Sequence, residues 1–149
     1  KMQVILPAAR LSAQAAHCAV DAAVSRAVQM GVAVNACVVD AGGHQIAFLR
    51  GDGAFLQSGQ IARDKAATAA GFGAPTGAFY HALAGEPAVL AGITGQPGIA
   101  AFAGGLPIRA EGQVIGGIGV SGASAEQDEI CAQAGLEALG LSPVEGAGK

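Results

Sequence analysis

The chain has 149 residues, enough for one domain with its own core and too few for two of ordinary size. Hydrophobic residues make up 52% and charged residues 13%, with a net charge of −3 and 4% aromatics. This argues against nucleic acid as a partner and leaves small apolar groups on the surface, some of them for contact between subunits.

Residues 8 to 30 form the first predicted helix. Ala13, Ala16, Val20, Ala23, Val24 and Ala27 share one face; Gln14, His17, Asp21, Ser25 and Gln29 share the other; Gly31 stops it. The run VAVNACVVD then reads as a strand covered on both sides. AGGH makes a tight turn, with Gly42 and Gly43 supplying positive φ, and HQIAFLR returns as the second strand of a hairpin.

Residues 57 to 72 form a second helix, ended by Gly71, Gly73 and Pro75. Its alanines, Ala62, Ala66, Ala67, Ala69 and Ala70, let another backbone come close. Residues 76 to 98 read as an irregular connection with one or two short helical turns, a length often given to function. Three apolar runs follow: IAAFAG, LPIRA and QVIGGIGVS. A-E-G-Q joins the last two as a hairpin, and Pro107 marks an edge strand or a bulge. Ser124 starts the last helix, Gln127 completes a capping box, and Ile130, Cys131, Ala134 and Ala138 line its buried face. SPVEGAGK, residues 142 to 149, is expected to be a flexible tail. The order implies one α+β domain over residues 1 to 149, with a mainly antiparallel five-stranded sheet and helices packed on it.

GIGVSG, residues 117 to 122, spells the dinucleotide fingerprint G-x-G-x-x-G. That site needs a second parallel strand after its helix, and here too little chain follows. The glycines read instead as strand positions that admit a closely packed neighbour.

No apolar run free of charges and glycines is long enough to span a membrane, and no secretory segment is visible. A cytoplasmic location is expected, unless Lys1 before Met2 marks a processed end. Cys18, Cys37 and Cys131 show no paired spacing, so they are expected to be buried small hydrophobes rather than disulfide or zinc ligands.

Two long blocks carry a family resemblance. VVDAGGHQIAFLRGDGAFLQSGQIARDKAATAAGFGAPT and GGLPIRAEGQVIGGIGVSGASAEQDE are similar to the two signature blocks of the GlcG/HbpS family (DUF336), which takes in the C-terminal domain of the PduO adenosyltransferase. The resemblance runs from the first helix to the last. It implies a profilin-like or PAS-like α-β-α sandwich, homo-oligomers, and heme binding or degradation in some members.

Heme needs an axial ligand and a flat apolar slot. The candidate ligands are His17, His81, His44 and Tyr80. A histidine in the first helix is similar to the kind of ligand seen in the PduO-type domain, without a residue-for-residue match. The bland reading of His17 is a solvated pair with Asp21. His44 follows the Gly-Gly turn and is a candidate pocket lip. No metal site beyond heme iron is implied by histidine spacing.

Lys65 lies on an otherwise apolar helical stripe with Ile61, Thr68 and Phe72, while Arg63 points almost opposite. Arg63 or Lys65 would pair with heme propionates. Gly104, Gly105 and Pro107 offer a backbone segment whose N–H groups would hold an anion. Glu126 or Asp128, in the first turn of the last helix, would partner Lys65 or Arg63. Two functions follow: an oligomeric heme or tetrapyrrole binder, or an enzyme or accessory factor for a small carboxylate or hydroxy acid. In the second, Lys65 serves as acid/base or anion anchor beside Glu126.

Overall fold

In a computed structural model of the chain, residues 1–141 are described. The expected tail, residues 142–149, lies outside them. The elements are α1 (Ala13–Gln29), β1 (Asn35–Asp40), β2 (Gln45–Arg50), α2 (Leu56–Phe72), α3 (Thr76–Leu83), α4 (Pro87–Thr94), β3 (Gly105–Ala110), β4 (Gln113–Ser121) and α5 (Ala125–Ala138).

The strands form one antiparallel sheet in the order β2-β1-β4-β3. Side chains alternate across it, as strand geometry requires. Ala36, Val38, Ile118 and Val120 face one side and join Ala16, Ala19, Ala23, Cys131 and Leu136 of α1 and α5. Cys37 and Val39 face the other and meet Ala62, Ala66 and Ala70 of α2. The sheet is therefore sandwiched between one helix and a helix pair.

The glycines of G-x-G-x-x-G explain how close α2 lies. A Cβ on Gly117 would strike the Ala66 carbonyl and lie 3.0 Å from the Ala70 nitrogen. One on Gly119 would strike the Ala62 carbonyl and the Ala66 nitrogen. Missing side chains on β4 thus meet alanines on α2, and the two backbones touch.

Several expectations need correction. Among the described residues the sheet has four strands rather than the expected five. IAAFAG forms no strand because side-chain hydroxyls take part of its backbone bonding: Ala100 N–H donates to Thr68 Oγ1 at 3.0 Å, and the Phe102 carbonyl accepts from Thr76 Oγ1 at 2.6 Å. The first helix begins at Ala13 rather than residue 8, because Ser12 caps it by accepting from Ala15 N–H. In the first hairpin only Gly43 has positive φ, 87°; Asp40 Oδ1 accepts from Gly42 and His44 N–H and holds the turn.

The buried face of α5 carries Asp128, Cys131, Ala132, Gly135 and Leu136, so of the expected set only Cys131 is there and Ala138 is exposed. Ala13 on α1 is likewise exposed, and so is Cys18, where a buried thiol was expected; Cys37 and Cys131 are buried. The short helical turns expected within residues 76–98 are two eight-residue helices, Thr76–Leu83 and Pro87–Thr94. Pro107 does sit on the edge strand β3, next to a bulge at Ile108/Arg109. Glu111 and Gly112 turn β3 into β4 with φ of 53° and 78°.

Candidate functional site

Lys65 projects from the buried face of α2 and is fully buried. Its ammonium donates to the Val120 carbonyl at 2.9 Å and to Asp128 Oδ2 at 3.0 Å. Asp128 Oδ1 accepts from Ala123 N–H at 2.9 Å. The pair links α2 on one face of the sheet to α5 on the other, passing the end of β4. Burial pulls the Lys65 pKa down and pushes that of Asp128 up; each partner opposes the other's shift without cancelling it.

Gly104 and Gly105 make room for this lysine. A Cβ on Gly104, whose φ is 132°, would stand 2.6 Å from Lys65 Nζ. One on Gly105 would stand 2.5 Å from the Lys65 carbonyl oxygen and 2.6 Å from Thr76 Cγ2. Gly105 N–H donates to Thr76 Oγ1 at 2.9 Å. The expectation that this segment offers free N–H groups to an anion is therefore corrected: both glycines are buried, and the Gly105 donor is taken by a hydroxyl.

Above this buried pair lies a cavity of about 520 Å³, lined by Gly77, Tyr80, His81, Thr94, Ile99, Ala100, Ala101, Phe102 and Ala103. That volume is in the usual range for a small-molecule site. Its lining is mainly apolar, with an imidazole and a phenol on one wall. The rings of Tyr80 and His81 meet edge to face, 5.6 Å apart. Phe102 also lines it and lies over Lys65 Nζ, 4.5 Å from ring centroid to nitrogen.

Of the expected site residues, the structure brings only His81 to this cavity, together with Tyr80. Lys65 stands behind Phe102 and does not line it. Arg63 stacks on Phe48 at 4.3 Å and donates through Nε to Gln45 Oε1 at 2.9 Å, so it is committed to β2. His44 is exposed at the hairpin turn, with Nδ1 3.4 Å from Asp40 Oδ1. That turn's N–H groups and the histidine hold the Asp40 carboxyl below its ordinary pKa. His17 is exposed on α1, on the face of the sheet opposite α2, and makes no ion pair with Asp21 within 4 Å. Glu126 is exposed; the acid that meets Lys65 is Asp128. Pro107 is buried in β3.

Sequence reasoning missed Phe102 and the wall from Ile99 to Ala103. The hydroxyls that anchor this wall, Thr68 and Thr76, lie more than twenty residues earlier, so no local pattern marked it. Among the described residues, no group of three His, Cys, Asp or Glu could hold a metal ion, and no helix is long and apolar enough to cross a membrane.

The family model described as "Haem degrading protein HbpS-like" matches residues 11–137. The chain is 37% identical over 137 residues to an uncharacterized 15.0 kDa protein of the dhaT-dhaS intergenic region of Citrobacter freundii, covering 90% of each. It is similar to a double mutant of Streptomyces reticuli HbpS, with a TM-score of 0.85 and 38% identity over 93% of each chain. A PduOC:heme complex matches with a TM-score of 0.80 and 34% identity, over 87% of this chain and 95% of that one.

Proposed function

This chain belongs to the HbpS-like family, and from that premise we propose that it binds heme or a related tetrapyrrole as a homo-oligomer. The observation that carries the reading is the apolar cavity of about 520 Å³ with His81 and Tyr80 on its wall. Both side chains are of the types that ligate heme iron, and the rest of the lining suits a flat apolar ring. A bound heme would supply redox and oxygen chemistry at its iron; the chain's own part is to hold and shield it. The heme complex of the PduOC relative supports the same reading.

No Arg or Lys lines the cavity, so the acid groups of the ligand would be left to water. His17 faces away from this cavity and would reach a heme only where two copies meet. Exposed apolar side chains support assembly: Val28, Phe55 and Leu56 are 71%, 68% and 82% exposed in the single chain.

The test is an absorbance titration with hemin. A saturable Soret shift near one hemin per chain supports the proposal, and the absence of saturation overturns it.

A further inference from the structure

We propose that Phe102 is the stacking surface of the cavity, the ring against which a flat conjugated ligand lies. The proposal rests on the tetrapyrrole reading above and names the group that recognises the macrocycle itself rather than its metal.

The argument begins with exposure. Phe102 is 48% exposed although it sits in a wall whose neighbours Ala100 and Ala101 are buried. A half-exposed phenylalanine on a cavity wall leaves a large apolar surface in water, which binding of an apolar ligand would relieve. The ring is also held in place from behind. One of its faces lies over the Lys65 ammonium, which is itself fixed by the Val120 carbonyl and Asp128. Its backbone carbonyl accepts from Thr76 Oγ1 at 2.6 Å, and the same hydroxyl accepts from Gly105 N–H.

With one face on the cation, the other is the face left for the cavity that Phe102 lines. Flat aromatic systems stack in offset geometry on such a face, and a ring already held in position loses little freedom when they do. Tyr80, the other aromatic ring of the cavity, is engaged edge-on with His81. Lys65, Thr76 and Gly105 thus act through Phe102 and are positioning residues.

The experiment titrates wild type, Phe102→Ala, Phe102→Leu and Phe102→Tyr with metal-free protoporphyrin, which removes iron ligation from the readout. Affinity is expected to fall about tenfold for Ala and about fivefold for Leu, and to stay within about twofold for Tyr. Leu keeps the apolar bulk, so it tests the stacking face even if the Ala variant folds poorly. Wild-type affinity in the Leu variant overturns the proposal while leaving the tetrapyrrole reading in place. Failure of the wild-type protein to bind either hemin or the metal-free porphyrin overturns both.

Discussion

The ammonium of Lys65 and the carboxylate of Asp128 meet at 3.0 Å in a place almost closed to water, one on α2 and the other on α5. The pair joins the two helix layers past the end of β4. Removing one partner strands the other in a dry site, which costs far more than a surface pair is worth. Lys65→Met and Asp128→Asn are each expected to lower stability by about 3–5 kcal/mol in chemical denaturation. The double variant Lys65→Met/Asp128→Asn is expected to lose clearly less than the sum of the two single losses, because no charge is then left alone.

The contact of α2 with β4 predicts a contrast between two glycines. Gly119→Ala places a methyl group on the Ala62 carbonyl and should cost about 3 kcal/mol, since backbone rather than a flexible side chain must move. Gly92 lies in α4 with nothing within 4 Å of its would-be Cβ. Gly92→Ala should stabilise by about 0.5–1 kcal/mol through helix propensity. Paired urea titrations measure both.

Burial pushes the thiols of Cys37 and Cys131 from 9.0 up to about 11. Their folded pKa values are raised, so each stabilises the fold fully below pH 9 and loses that contribution as pH rises toward 11. Lys65 has the opposite sign: burial holds its folded pKa below the ordinary 10.5, so stability rises as pH climbs from the folded pKa toward 10.5. The thiol effect is isolated by comparison with Cys37→Ala/Cys131→Ala, which should lose less stability than wild type across this range. In the native protein, only exposed Cys18 should react quickly with a thiol reagent; all three should react once it is unfolded.

Thr76 holds the cavity wall by donating to the Phe102 carbonyl and accepting from Gly105 N–H. Thr76→Val keeps the shape and removes both bonds. It should cost about 1–3 kcal/mol, because the Gly105 donor is left buried without a partner. It should also weaken hemin binding, since Phe102 loses its anchor; the same titration that gives the affinity tests this.

The layers were legible in the sequence because strand alternation and helix periodicity are local signals. The run VAVNACVVD, apolar on both faces, became the buried strand β1, and Ser124 with Gln127 formed a capping box. The fifth strand failed for a non-local reason. IAAFAG has strand-like residues, but hydroxyls of Thr68 and Thr76, more than twenty residues earlier, take its backbone groups.

The site divides in the same way. Lys65 stood out as a polar residue on an apolar stripe; Lys65 and Thr68 are buried, whereas Ile61 is half-buried and Phe72 is 49% exposed. Its partner could be narrowed only to Glu126 or Asp128. Those two residues lie two apart on a helix and therefore face different directions, and only the packing of α5 on the sheet turns Asp128 inward. Phe102 carried no local signal at all. Its place over Lys65 depends on Gly104 and Gly105 leaving space for a side chain from another layer.

The most direct test is the hemin titration repeated with His81→Ala, His17→Ala and His44→Ala. The cavity places His81 alone of the three on its wall, so the Soret band should change in position or lose saturation in His81→Ala and remain as in wild type in His44→Ala. A spectrum unchanged in His81→Ala but altered in His17→Ala would contradict the cavity as the heme site and place the ligand on the exposed face of α1.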